Sequence, residues 1–306
     1  MRDYSEFVQF IIKKTGLNKP LLIERDILLH SLLYRLTRDT RFRENYLFKG
    51  GSCLVKCYFG YYRFSVDLDF TYLHQERWKG LSRSKRRREL VSEAEYLAEL
   101  IKEASEGLSL EFTANIENKR FAEFGSGSRL VTFKLYYRGE LLKIQVNLAE
   151  TLLFKPQKRR VRTLLEGVSM SSDERVYFTE YLEEYRGFRV LAYDLREMLC
   201  EKVRAIPTRR VQKLRDFYDL YVLEKAGLSI EDFSEEIMLK LKPVMRYKKY
   251  REAFERNRES FTVSPELITN TYELSLFVEQ PNKEEFVEFL TRIEKKLKEI
   301  IEEYPS

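Results

Sequence analysis

Two aspartates, Asp67 and Asp69, lie two residues apart within the largely apolar stretch 64–70. Side chains at positions i and i+2 of a β-strand point to the same face, so a strand here places both carboxylates on one side of a sheet. Two such charges repel each other unless a cation lies between them, and oxygen ligands suit Mg²⁺ bound together with a substrate phosphate. The pair therefore predicts a metal-dependent nucleotide site, with Mg²⁺, or Mn²⁺ in its place, as the cofactor.

Ahead of this pair, Gly50, Gly51 and Ser52 follow a short strand candidate at 46–48. Serine is a common N-cap, and the simplest interpretation is a capped helix over 52–59. The free N–H groups of a helix start also bind phosphates, and glycines let the backbone approach closely. The acidic pair downstream favours this second interpretation, in which the Gly-Gly-Ser segment holds a triphosphate.

A strand is predicted over 63–72 because polar and apolar residues alternate there. One face of this strand carries Arg63, Ser65, Asp67 and Asp69. An apolar back and a charged front suit the edge of an active-site cleft, which assigns Arg63 and Ser65 to the nucleotide-binding surface. The alternative is a solvated strand face, which the poor β propensity of aspartate disfavours.

The second half of the chain adds a lysine and two acids. A predicted helix over 193–206 places Lys202 inside the apolar stripe. A lysine on an inner face needs an anion, and the spacing supports a phosphate and a structural carboxylate equally. The next predicted helix, 213–224, carries Asp216. It also places Arg215 and Asp219 four residues apart, where they can pair along the helix.

Other predicted elements must position these residues. Helices are predicted over 1–46 and 82–106, and strands over 108–116, 130–137 and 141–148, with the last two strands joined as a hairpin at Arg138 and Gly139. A basic segment interrupted by Pro156 then changes the pattern. Two domains are expected, 1–165 and 166–306, the second of them mainly helical.

The helix predicted over 82–106 begins with a cluster of cations, namely Arg83, Lys85, Arg86, Arg87 and Arg88. Such a run is usually a solvated face. At the rim of a nucleotide site it can also hold the phosphates of a second substrate.

Composition limits the classes of protein. The chain has 306 residues, 43% of them hydrophobic, with a formal net charge of +6 that permits a polyanionic partner without requiring one. Three cysteines and two histidines at these spacings argue against a zinc site and a disulfide framework, and Cys53 and Cys57 are expected to be buried. No signal core or long apolar run is present, so a soluble, cytoplasmic protein is expected.

Two separated motifs resemble the AbiEii/AbiGii toxin family of nucleotidyltransferases, which belongs to the DNA polymerase β-like superfamily. The resemblance spans about residues 45–225, and its motifs are Lys49-Gly50-Gly51-Ser52 followed by Arg63-x-Ser65-x-Asp67-Leu68-Asp69-Phe70, and Glu201-Lys202-Val203-Arg204-Ala205 followed by Arg209-Arg210 and Arg215-Asp216-x-x-Asp219-Leu220. It implies an α+β fold with a mixed sheet: a nucleotidyltransferase core with N-terminal helices, and a C-terminal helical domain that closes over the site.

The resemblance also implies roles for residues and for the protein. Asp67 and Asp69 would carry the metal, Lys202 would contact the nucleotide phosphates, and Asp216 would complete the catalytic set. The implied reaction moves NMP from an NTP to an acceptor hydroxyl, with RNA, tRNA in particular, as acceptor. Family members act as toxins of toxin–antitoxin or phage-exclusion systems, so a cognate antitoxin is an expected partner.

One departure from the superfamily pattern concerns a third carboxylate on a later strand. The inward candidates there are Gln145 and Asn147, whose amides cannot act as general bases, and Glu150 is a spare acid nearby. The amides support one alternative, a non-catalytic RNA- or partner-binding protein on the same fold. A second alternative is an NTP-dependent protein phosphotransferase whose basic surfaces serve only solubility.

Overall fold

The computed structural model describes residues 3–125, 128–263 and 265–304. The chain forms two compact units, one of Met1–Glu150 with Pro156–Ala192 and one of Thr151–Lys155 with Tyr193–Ser306. The break at 192/193 differs from the sequence-based boundary at 165, because two strands after residue 156 join the sheet of the first unit.

Within the described residues, the first unit contains a seven-stranded sheet in the order β3-β4-β5-β2-β1-β7-β6. β1 runs antiparallel to β2 and parallel to β7, and β2 runs parallel to β5. The strands are β1 (Tyr46–Lys49), β2 (Asp67–Tyr72), β3 (Ala122–Gly125), β4 (Leu130–Tyr137), β5 (Glu140–Asn147), β6 (Gln157–Val161) and β7 (Phe188–Ala192). A mixed sheet with flanking helices confirms the predicted α+β fold.

The helices of the first unit are α1 (Ser5–Thr15), α2 (Pro20–Leu36), α3 (Thr40–Asn45), α4 (Gly50–Cys53), α5 (Arg83–Ser105), α6 (Ser172–Tyr177) and α7 (Thr179–Leu182). α4 continues as a π-helical segment, Leu54–Phe59, and a single 3₁₀ turn spans Gln75–Trp78. The predicted helices near the N-terminus and over 82–106 are confirmed.

Side chains alternate strictly along β4 and β5, where buried apolar positions are separated by half-exposed ones. On β2, Leu68 and Phe70 are buried, whereas Asp67 and Asp69 are half-exposed. We call the half-exposed side of these three strands the polar face. The buried side packs against helices, as the ring contact of 5.0 Å between Phe42 of α3 and Phe70 illustrates.

The predicted hairpin between β4 and β5 is confirmed. Arg138 and Gly139 both have positive φ (48° and 84°), as a tight two-residue turn requires. The strand predicted over 108–116 is wrong, since only Glu111 forms a bridge, to Tyr136. Left-handed Gly107 precedes this segment, and left-handed Ser109 interrupts its extended backbone.

The second unit is helical apart from its turns. Its helices are α8 (Leu195–Ala205), α9 (Leu214–Lys225), α10 (Ser234–Val244), α11 (Lys248–Ser260), α12 (Pro265–Ile268), α13 (Thr271–Ser275) and α14 (Lys283–Glu303), with a 3₁₀ turn at Glu231–Phe233. Its core includes Tyr218 against Phe277 at 4.4 Å. Nowhere in the described ranges does a helix combine the length and apolarity that a membrane span requires.

The segment 151–155 is fastened to the second unit by a buried ion pair. Glu197 and Lys240, 1% and 0% exposed, pair with each other. The Glu197 carboxylate accepts hydrogen bonds from the backbone N–H groups of Leu153 (2.9 Å) and Phe154 (2.8 Å). Lys240 Nζ donates to the Thr151 carbonyl at 2.5 Å. Both members of the ion pair thus help to hold the segment.

The first unit contains a second buried ion pair, between Lys56 Nζ and Asp26 at 2.6 Å. Two tyrosine hydroxyls, those of Tyr61 and Tyr185, also donate to Asp26, at 2.9 and 2.6 Å. Lys56 lies one turn after Ser52 on the same helical stretch, so this network fixes the helix that starts at the glycines.

Replacing Lys56 by Met leaves the buried Asp26 carboxylate without its cation, and we expect a loss of about 3–5 kcal/mol in the free energy of unfolding. The control is Lys102→Met, which removes an exposed ammonium 3.7 Å from Glu99 and should cost less than about 1 kcal/mol. Urea titration measures both. Equal losses in the two variants would contradict the assigned role of the buried pair.

His30 makes the free energy of unfolding depend on pH. Burial and the nearby Lys56 charge hold the pKa of His30 well below 6.5. The neutral ring donates from Nε2 to the Arg186 carbonyl at 2.8 Å. Below about pH 6.5 the unfolded chain binds a proton at His30 that the folded chain does not, so the free energy of unfolding falls as pH falls.

We therefore expect His30→Asn to reduce this dependence by up to about 1.4 kcal/mol per pH unit between pH 6.5 and 5. Urea titrations of the wild type and the variant across this range measure it. The idea fails if the two slopes coincide.

Candidate functional site

The turn from β1 into α4 approaches β2 more closely than any side chain would allow. Gly50 has a left-handed φ of +70°, and a Cβ there would overlap the Asp69 carboxylate. Any other residue would therefore be both strained and sterically blocked. The Asp69 side chain lies directly against the glycine backbone.

Gly51 makes the corresponding contact with Arg63, because a Cβ at this position would overlap the guanidinium. Arg63 is only 2% exposed, and its Nη1 donates to the Phe64 carbonyl at 2.9 Å. β2 begins at Asp67, so the strand predicted from residue 63 is wrong in its first four residues. Arg63 lies buried beside Gly51, and Ser65 is half-buried. Their nucleotide-binding roles stay predictions.

Ser52 is not an N-cap, because α4 already begins at Gly50. Its side chain is buried, and its hydroxyl donates to the backbone carbonyl of Asp67. The serine thereby ties the start of the helix to the first residue of β2. The backbone N–H groups of the first helical turn have no acceptor within the helix and remain the groups suited to bind an anion.

Asp67 and Asp69 lie on the polar face with their side chains half-exposed. Lys143 of β5 is opposite Asp67, and Gln145 is opposite Asp69. Lys49 is opposite Asp69 on the other side. Two carboxylates on one strand face, beside backbone donors, fit a Mg²⁺ ion that takes its remaining oxygen ligands from phosphate and water.

β5, the strand next to β2, carries amides at the positions where the resemblance leads us to expect a third acid. Gln145 Nε2 donates to Thr132 Oγ1 at 3.3 Å, and Asn147 Nδ2 donates to the Glu150 carboxylate at 2.5 Å. Among the described residues, no group of three or more His, Cys, Asp and Glu side chains is arranged to hold a metal. Asp67 and Asp69 are therefore the acidic pair that this face of β2 offers to a cation.

In the second unit, Lys202 and Asp216 lie together. Lys202 Nζ is 3.3 Å from Asp216 Oδ1 and also pairs with Asp219. Arg209 pairs with the other oxygen of Asp216. Asp219 is fully buried and Asp216 is 7% exposed, so this cluster holds two cations and two anions in a small volume.

Arg215 does not pair with Asp219 along α9, which was the simplest expectation from their spacing. Its guanidinium lies 3.3 Å from Glu273, and its backbone N–H also donates to that carboxylate. Arg209 also belongs to the cluster, although the helical spacing gives no sign of it. Its signal was its place in the second motif, a few residues before Asp216.

The cysteines are structural. All three are buried, and none forms a disulfide bond: Cys53, Cys57 and Cys200. Burial raises the pKa of Cys53 well above its ordinary value and that of Cys200 to about 12. Both thiols thus stay protonated near neutral pH and are poor nucleophiles.

Comparison with known families identifies the chain. A family model described as "Nucleotidyl transferase AbiEii toxin, Type IV TA system" matches residues 31–299. This range includes the Gly-Gly turn, both aspartates of β2 and the Lys202 cluster. No curated protein matches the chain.

Two glycines offer a matched test of the close approach at Gly50. Gly16 has nearly the same φ, +74°, but open space around the position of a Cβ. Both Gly→Ala variants carry backbone strain of about 1 kcal/mol. We expect Gly50→Ala to lose about 1–3 kcal/mol more, since it also displaces Asp69. Urea titration decides; equal losses would mean that Asp69 accommodates a methyl group freely.

Proposed function

The chain belongs to the AbiEii family of nucleotidyl transferase toxins of type IV toxin–antitoxin systems, and on this premise we propose that it transfers NMP from an NTP to a hydroxyl of RNA. The acceptor oxygen attacks the α-phosphorus, an O–P bond forms, and the bond to the β-phosphate oxygen breaks. Pyrophosphate leaves, and the hydroxyl proton passes to solvent. tRNA is the favoured acceptor, and a cognate antitoxin is the expected protein partner.

The observation that supports this proposal is the contact between the Gly-Gly turn and the acidic pair. Asp69 lies against Gly50, and Ser52 binds the backbone of Asp67. The N–H groups that we assign to phosphate binding and the carboxylates that we assign to metal binding therefore lie on two segments that contact each other directly. A nucleoside triphosphate with its divalent cation has the charges that such a pair of sites requires.

Each group has an assigned role. Gly50 and Gly51 bring backbone donors close to the triphosphate, and Asp67 and Asp69 hold Mg²⁺. The bound ion would neutralise triphosphate charge and lower the pKa of the acceptor hydroxyl. Arg63, packed beneath Gly51, keeps the turn in place and adds positive charge near the phosphates.

We assign the Lys202 ammonium to the nucleotide phosphates and Asp216 to the completion of the catalytic set. Asp216 and Asp219 fix the ammonium by two contacts. These contacts hold the flexible lysine side chain in one position before substrate binds. An ammonium that is already in position can stabilise the transition state without first being ordered.

The proposed proton route avoids β5. The amides of Gln145 and Asn147 cannot accept a proton as bases, and the Glu150 carboxylate already accepts from Asn147. Transfer to solvent requires only an acceptor hydroxyl whose pKa has been lowered.

Asp67→Asn and Asp69→Asn should each reduce nucleotidyl transfer by a factor on the order of 10²–10³ or more while leaving the fold intact, because each removes a charge that stabilises the transition state. The exposed Asp173→Asn is the matched control and should retain wild-type activity. The assay follows label from each α-³²P NTP into total tRNA with Mg²⁺.

Label that arrives from γ-³²P and not from α-³²P NTP would replace nucleotidyl transfer by phosphoryl transfer. Undiminished transfer by both Asp67→Asn and Asp69→Asn would exclude the assigned metal site.

A further inference from the structure

The first turns of α5 concentrate positive charge that no acid neutralises. Five of the six residues 83–88 are cations, and the first turn contains no acid. We call these five residues the cationic end of α5. Within the described part of the chain, no ion pair involves the side chains of Arg83, Lys85, Arg87 and Arg88. By contrast, nearby Arg77 pairs with both Glu89 and Glu93.

These charges do not stabilise the helix. The N-terminus of a helix carries partial positive charge, so cations there are unfavourable. Arg83 and Arg87 are also four residues apart, and Lys85 and Arg88 three apart, which are the spacings at which like charges repel. Helix formation therefore does not explain this cluster.

The cationic end extends beyond the packed part of the unit. Arg83 and Arg87 fall in line with the buried stripe that begins at Leu90, yet both are exposed. At about 100° per residue, Lys85 and Arg88 lie on the opposite side of the helix from Arg83 and Arg87. The helix thus presents cations on two opposite sides.

Arg86 anchors this end to the residue that follows β5. Its Nε donates to the Trp78 carbonyl at 3.2 Å, and Trp78 Nε1 donates to the Leu148 carbonyl at 2.6 Å. Leu148 is three residues beyond Gln145, the residue opposite Asp69. Three residues of a strand span about 10 Å, so the Leu148 carbonyl lies about 10 Å along the sheet from the position opposite Asp69.

We propose that the cationic end of α5 binds the phosphate backbone of the acceptor RNA, with phosphates on both sides of the helix. Cations on opposite sides fit a groove between two phosphate strands, whereas an acidic protein surface would engage one side. Arginine, which supplies four of the five cations, matches phosphate geometry with paired N–H donors. This inference rests on the proposed function, since it names the surface that receives its acceptor.

The test neutralises the four exposed cations with Arg83→Gln, Lys85→Gln, Arg87→Gln and Arg88→Gln in one full-length variant. A control removes the same charge from scattered exposed positions, with Lys13→Gln, Lys119→Gln, Lys283→Gln and Lys295→Gln. Binding of total deacylated tRNA is measured over a salt series with EDTA and without NTP, so that no chemistry is involved.

We expect the α5 variant to lose about 10–100-fold in tRNA affinity at 0.1 M salt and the control to stay within about twofold of wild type. The magnitude of the slope of log affinity against log salt concentration should decrease by about 2–4, because each lost phosphate contact removes about 0.7–0.9 from that magnitude. In turnover, KM for tRNA should rise while KM for NTP stays unchanged. The variant should also unfold at the same or higher urea concentration, since like charges have been removed.

Wild-type affinity and salt slope in the α5 variant would overturn the proposal, and so would an equal loss in the control. Loss of binding to a polyglutamate probe with tRNA binding intact would assign the surface to an acidic protein and overturn it too. The proposed function fails separately. If Asp67→Asn keeps transferring nucleotide while the α5 variant loses tRNA binding, the RNA-binding surface is supported and the proposed mechanism is wrong. If Asp67→Asn loses transfer while the α5 variant keeps tRNA binding, the mechanism is supported and the surface is wrong.

Discussion

The first unit depends on one steric constraint, the contact of a bare backbone turn with strand β2. Gly50 touches Asp69, Gly51 touches Arg63, and Ser52 binds the Asp67 carbonyl. Three consecutive residues thus each fix one group of the neighbouring segment. The Asp69 carboxylate and the helix start therefore lie close together, and their contact leaves no room for a methyl group. For a site that acts by positioning and charge, such rigidity is the main requirement.

Buried lysines complete this rigidity. In the first unit Lys56 pairs with Asp26 one turn after Ser52, and in the second Lys240 pairs with Glu197 and holds the segment 151–155. Apolar residues of equal volume often stabilise a core as well as or better than such pairs, whereas breaking a pair is strongly unfavourable. Their value here lies in geometry: each aligns one short segment through directional contacts that an apolar cluster could not provide.

Much of the fold could be predicted from local patterns, and the parts that could not are long-range. Helix α5 follows from its hydrophobic periodicity, and the hairpin at Arg138 and Gly139 follows from its turn residues. The acidic pair follows from the two-residue spacing of its aspartates on a strand. Strands β6 and β7 were not predicted. β6 is mostly cationic, and β7 pairs with β1 across some 140 residues. Arg63 was placed on an open face because alternation cannot reveal that a glycine leaves space for its guanidinium. The helical spacing predicts that Lys202 is buried and needs an anion, but it does not show whether that anion is a carboxylate or a phosphate. The sequence therefore supported both equally.

The position of β7 has a consequence for synthesis of the protein on the ribosome. β1 and the Gly-Gly turn emerge early, but the strand that covers the other edge of β1 ends at Ala192. At roughly 5–20 residues per second, about 140 residues take on the order of 7–30 s to add. During that interval the nascent chain carries an uncovered strand edge beside Leu47 and Phe48, which invites pairing with other chains. Premature termination before residue 188 would make that state permanent, so a truncated product would lack a completed sheet even though it contains every candidate site residue of the first unit.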